Sequence, residues 1–207
     1  MVRNALGIGV ATGAYGVSFG ALANAAGLSV PQACALSLLM FTGASQFAFV
    51  GLIGAGAFGA VASALLLGAR NGLYGLRLAP MLPRRAAHWV IDESAAMALS
   101  FGRRGFWATG LSVFACWNLG TLAGALAGTA LSDPRTLGLD AAAPAAFVAL
   151  VAPGLDSREP RVIAAVATLA ALAAVPLVPA GVPILIAAAV AATCGLRSSS
   201  PQPVASR

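Results

Sequence analysis

Charge is what this chain has least of. Charged residues make up 9% of its 207 positions, and between Arg3 and Arg70 there is none. A soluble domain carries about 25%, so a water-facing globular class is excluded. Lysine is absent and all twelve basic residues are Arg, which we read as a base-composition effect. The one histidine, His88, has no His-Glu-x-x-His run around it. Cys34, Cys116 and Cys194 lie inside apolar segments without Cys-x-x-Cys spacing, which argues against a disulfide framework or thiolate metal site and for buried structural thiols. No nucleophile elbow or phosphate-cradling glycine loop is present. With no positioned base and nucleophile, no enzyme, cofactor or metal site is expected.

What fills the chain is apolar: 59% of its residues are hydrophobic. A bilayer core takes about 20 apolar residues per helix, and the uncharged run from Asn4 to Ala69 is long enough for three. The blocks are continuous rather than alternating, which argues against a membrane barrel. The expected class is an all-α polytopic membrane protein forming a single transmembrane domain over 1–207. The net charge of +6 comes from arginines in short connections, the pattern of the positive-inside rule, and no nucleic acid partner is expected. Met1 to Gly27 imitates a secretory signal, with Arg3 ahead of an apolar run and Ala23-Asn24-Ala25 as a small-x-small site. The equally hydrophobic sequence that follows argues for a first helix instead.

Gly, Pro and Arg punctuate the blocks. They predict helices over Leu6–Ala26, Gln32–Ala55 and Phe58–Leu78, with Ser29 and Pro31 starting the second. Residues 84–103 are too short and too charged to span and read as an interfacial or partly buried helix. A fourth span covers Phe106–Leu131 and a short fifth Leu139–Leu155, with Asp140 at its entrance and Pro144 in its first turns. Pro176, Pro179 and Pro183 divide the rest into a sixth helix and a final one over about 181–196, each of about 17 residues, ahead of a polar tail at 198–207. That makes about seven transmembrane helices. Counted so, Arg77, Arg84, Arg85, Arg103, Arg104, Arg158, Arg161, Arg197 and Arg207 share one side, which predicts an outside N-terminus and a cytoplasmic C-terminus.

A weak repeat runs at an offset near 100. Phe19-Gly20-Ala21-Leu22 aligns with Leu119-Gly120-Thr121-Leu122, and Ala44-Ser45-Gln46-Phe47 with Pro144-Ala145-Ala146-Phe147. Three spans per copy give a 3+3 inverted repeat, with copies over about 5–80 and 105–180, a secondary-transporter signature.

Gly43, Ser45 and Gln46 stand mid-span, where a helix break would free backbone groups for a substrate's polar head. The same side chains also serve as interhelical glue. Arg70 and Asn71 close the third span. Arg70 is either a snorkelling anchor or a fork for a carboxylate. Asp92 and Glu93 either cap a helix or pair with a nearby Arg, or carry a coupling proton; Asp140 is similar. Trp117 and Asn118 lie mid-span in the fourth helix, Asn118 reading more as packing glue than as ligand. Gly13, Gly16 and Gly20 suggest close helix approach.

Ser18-Phe19-Gly20-Ala21-Leu22, Phe41-Thr42-Gly43-Ala44-Ser45-Gln46-Phe47, Arg70-Asn71-Gly72-Leu73-Tyr74-Gly75-Leu76, Asp92-Glu93-Ser94 and Gly138-Leu139-Asp140 leading into Pro144 and Phe147 resemble the AzlC family over nearly the whole chain. The resemblance implies the large subunit of a branched-chain amino acid exporter of the LIV-E type, working with a small AzlD-type membrane partner in the plasma (inner) membrane. Asn71 stands where that family usually has His, which bears on coupling. The expected function is proton-coupled, alternating-access export of branched-chain or similar apolar amino acids from a midplane site. Gly43, Ser45 and Gln46 would bind the polar head, Phe47 and Phe147 the side chain, and Arg70 the carboxylate, with Asn71, Asn118 and Pro144 nearby. Asp92, Glu93 and Asp140 would carry protons. The alternatives are a passive pore, a carrier for another small solute, or a non-transporting assembly subunit.

Overall fold

Ser29, with Pro31 two residues on and Gln32 three, spells a helix start. In the computed structural model it is one. The Ser29 side chain accepts from the Gln32 N–H while the Gln32 carboxamide accepts the Ser29 N–H. The structure describes residues 1–54, 56–130, 148, 151–179 and 182–198, and among them every regular element is helical. Met1–Phe147 and Val148–Arg207 form separate compact units.

In the first unit, helix α1 (Val2–Ala25) ends before Gly27, whose φ of 93° takes the left-handed turn. Helix α2 (Val30–Leu39) has only 10 residues. The chain leaves helical geometry at Met40 and is extended at Thr42, and α3 (Gly43–Ile53) then runs for 11 residues. After a turn at Gly56, α4 (Ala57–Leu78) runs for 22. A 3-10 turn, Arg84–Trp89, precedes α5 (Asp92–Ala130), which is interrupted at Gly102, φ 61°. Residues 92–101 and 103–130 are therefore separate limbs of α5. In the second unit, a 3-10 turn at Ala152–Gly154 precedes α6 (Arg158–Ala174), which packs on α7 (Val182–Ser198). Both have 17 residues, as the prolines suggested. Arg161 closes the preceding loop by donating from Nε to the Leu155 carbonyl at 2.7 Å. Most of the fifth expected span, Asp140, Pro144 and Phe147 included, lies outside the described residues.

The main contact of the first unit is α1 on the 103–130 limb. A side chain added at Gly9 would strike Ser112, at Gly13 Cys116, at Gly16 Trp117 and at Gly20 Thr121; one at Gly124 would strike the Val17 backbone. Both partner numbers rise together, so the helices run parallel, backbone against backbone. The two segments aligned as repeats lie against each other, Gly20 facing Thr121. An inverted repeat, however, needs opposite directions, and this pair shares one. Arg3 therefore lies at the same end as Arg103 and Arg104, whereas seven spans put it at the opposite end.

Parallel packing also decides the path between the two helices. Ser37 meets Thr121, Phe41 meets Phe114, and then Gly43 and Phe47 return to Trp117 and Phe19. Contacts descend along the limb and climb again. Helices α2 and α3 thus form a hairpin that enters and leaves at one end of the bundle, not the single span expected over Gln32–Ala55. Each half is roughly 15 Å long at 1.5 Å per residue, about half a bilayer core. Helix α4 pairs with α3, Ser45 lying against Gly68, and runs down to Leu78, which packs with Phe106 at the opposite end.

From that end a second hairpin rises. Trp89 packs beside Gly110 and Phe114, and the 92–101 limb descends again, with Met97 against Gly105. Residues 84–103, expected to be interfacial or partly buried, dip into the bundle and return. The two tips touch through Phe41, whose ring lies 5.9 Å from His88 and 6.1 Å from Trp89.

The exterior is apolar, and several polar side chains sit among a mostly hydrophobic interior. Ser37, Ser45, Gln46, Ser63, Ser94, Thr109 and Thr121 are buried, while Leu6, Val10, Phe58, Leu65, Leu73 and Leu76 are more than half exposed. Among the described residues α1 and α5 are long and apolar enough to cross a membrane; α4 has the length but carries Arg70, Asn71 and Arg77.

Two outcomes follow. Gly124→Ala should lower stability by about 1–3 kcal/mol, because its methyl meets backbone that cannot yield, whereas Gly7→Ala, with open space around it, should be neutral or stabilising by roughly 0.5–1 kcal/mol. Thermal unfolding of both variants in detergent checks this. With the native cysteines replaced by Ala, Pro31→Cys and Gly54→Cys should be labelled by an impermeant maleimide from the same side, and Arg84→Cys from the other. Labelling of Pro31→Cys and Gly54→Cys from opposite sides would restore a single span.

Candidate functional site

The break between α2 and α3 sets the first part of the site. Interrupting a helix frees carbonyls that lipid cannot satisfy. The Gln46 carboxamide takes them up: Nε2 donates to the Met40 carbonyl at 2.5 Å and to the Ser37 carbonyl at 3.4 Å. Its Oε1 accepts from Trp117 Nε1 at 2.8 Å, so one fully buried side chain repairs the break and ties it to α5. Gly43 is required beside it, since a Cβ there would press into the Trp117 ring. Phe19, Phe47 and Trp117 close the middle, with centroids 5.8–6.3 Å apart. Ser37 and Thr121 share a hydrogen bond at 3.1 Å just beyond.

The first turn of α3 has no side-chain cap. Ser45 Oγ, in that turn, is buried against Gly68 without a hydrogen-bond partner. On α4, Asn71 Oδ1 is likewise buried and unpartnered. These two oxygens are acceptors held in reserve on neighbouring helices.

The second part is the tip of the second hairpin. Ser94 Oγ accepts the Ile91 N–H at 3.1 Å and lies 2.6 Å from the Trp89 carbonyl, capping the 92–101 limb. Asp92, in that limb's first turn, meets Arg70 of α4 in a two-pronged ion pair: Nε to Oδ1 at 3.1 Å and Nη2 to Oδ2 at 2.6 Å. Tyr74, one turn after Arg70, faces the same carboxylate, and Glu93 stands beside the pair. Arg70 and Asp92 are thus paired with each other. Nothing in local spacing couples residue 70 to residue 92; the packing of α4 against the second hairpin brings them together.

The candidate residues therefore form two groups: Gly43, Ser45, Gln46 and Phe47 at the first tip, and Arg70, Asn71, Asp92 and Glu93 between α4 and the second. Asn118 donates to the Phe114 carbonyl at 2.8 Å within its own helix and leaves Oδ1 unpartnered. Ser37, Phe41, Trp89 and Thr121 belong to the site without having been singled out. The available signal was Trp117, since a mid-span indole N–H needs a buried acceptor. Among the described residues no cluster of three or more His, Cys, Asp or Glu is placed to hold a metal.

Residues 7–131, which include both hairpins, match the AzlC protein family. A protein of Archaeoglobus fulgidus described as an uncharacterized membrane protein is 32% identical over 152 residues, covering 70% of this chain and 69% of that protein. No solved structure matches the chain. The apolar exterior and these matches make it a membrane protein, and it belongs to the AzlC protein family, with a transport-related role.

Proposed function

We propose that this chain is a secondary transporter that exports branched-chain or similar apolar amino acids by alternating access, driven by the proton gradient. The observation that carries the proposal is the meeting of two half-length hairpins at Phe41 and Trp89 inside a bundle with an apolar exterior. Broken helices that end at membrane midplane expose helix N-termini and free polar groups where a small zwitterion can be held. Ser45, Asn71 and Arg70 receive the polar head from α3 and α4, and Phe47 takes the apolar side chain. Gln46 acts by holding the break in shape, because its carboxamide is already committed to Met40, Ser37 and Trp117.

The proposed setting is the plasma membrane, with a small AzlD-type subunit as partner. Parallel α1 and α5 put Arg3 with Arg84, Arg85, Arg103 and Arg104, so the positive-inside rule makes the N-terminus cytoplasmic. Within the first unit α1, α4 and the 103–130 limb of α5 then cross, with one hairpin entering from each face.

Cells loaded with a valine-containing dipeptide should release valine only when this chain and the small partner are both present, and a protonophore should abolish the release. Efflux indifferent to the protonophore removes proton coupling. Gln46→Ala strands buried hydrogen-bonding groups at about 1–3 kcal/mol each. It should cut valine efflux at least tenfold at equal expression and lower thermal stability; wild-type efflux from that variant removes Gln46 from the site.

A further inference from the structure

The geometry points to the Arg70–Asp92 pair as the receptor for both charges of a zwitterionic amino acid: the two side chains part, Arg70 takes the carboxylate and Asp92 takes the ammonium. This deepens the transporter reading above and rests on it.

The pair already shows the chemistry in miniature. Arg70 offers Nε and Nη2 to the two oxygens of one carboxylate, the fork that an α-carboxylate would engage equally well. Asp92 presents its carboxylate to a cation, which the ammonium can replace. The exchange conserves charge. A neutral pair becomes a neutral pair plus a zwitterion, so no uncompensated ion is left in a low-dielectric setting, which is the costly outcome. The side chains are 28% and 31% exposed, so the pair is not sealed. The groups facing Asp92 are Arg70 and Tyr74 from α4 and Glu93 from its own limb.

The test is binding of radiolabelled L-valine to the full chain in lipid nanodiscs, with its small partner where the two co-purify. L-Valinamide, which lacks the carboxylate, and N-acetyl-L-valine, which lacks the ammonium, should each compete at least about 30-fold more weakly than valine, as expected when one partner of a buried charge pair is removed. In Asp92→Asn, N-acetyl-L-valine should bind at least as well as valine, a gain that loss of a merely structural lock would not produce. Either analogue competing within threefold of valine in the wild type overturns the inference and leaves the transporter reading standing. Absence of valine binding overturns both.

Discussion

The first unit depends on one close contact, the glycine-lined face of α1 against the 103–130 limb of α5. Lipid gives helices no hydrophobic reason to associate, so association rests on packing, and small residues let backbones approach. Gly13, Gly16 and Gly20 on one side and Gly120 and Gly124 on the other do this here. Because the two helices run parallel, the chain between them must return to its starting end. It does so through α4, and α2 and α3 are left to enter and leave at the same end.

Hairpins of half-helices carry a penalty that full spans avoid: backbone groups stranded in the interior. Each tip has its own remedy. Gln46 gathers the Met40 and Ser37 carbonyls and is itself held by Trp117; Ser94 caps the 92–101 limb through the Ile91 N–H. The aromatic contacts of Phe41 with His88 and Trp89 join the repaired tips. Only α2, α3 and the 92–101 limb stop partway; α1, α4 and the 103–130 limb run unbroken beside them.

The Arg70–Asp92 pair crosses from α4 to the second tip and sets the electrostatics of the centre. An exposed pair of this kind adds little stability in water. In a bundle with an apolar exterior its value is different, since it keeps the Arg70 cation compensated.

Class and local breaks were legible in the sequence. Scarce charge and continuous apolar blocks dictated membrane helices, Ser29-x-x-Gln32 fixed a helix start, and the polar interruption at Gly43-Ala44-Ser45-Gln46 marked where a helix breaks. These are short-range matters, governed by solvation of individual side chains and by capping within one turn. Direction was not legible. An uncharged run of suitable length reads equally well as a crossing or as a helix that turns back, and only the register of α1 on α5 distinguishes them. The pairing of Arg70 with Asp92 and the burial of Gln46 against Trp117 were likewise decided in the tertiary structure, because each joins residues that nothing but packing brings within hydrogen-bond reach.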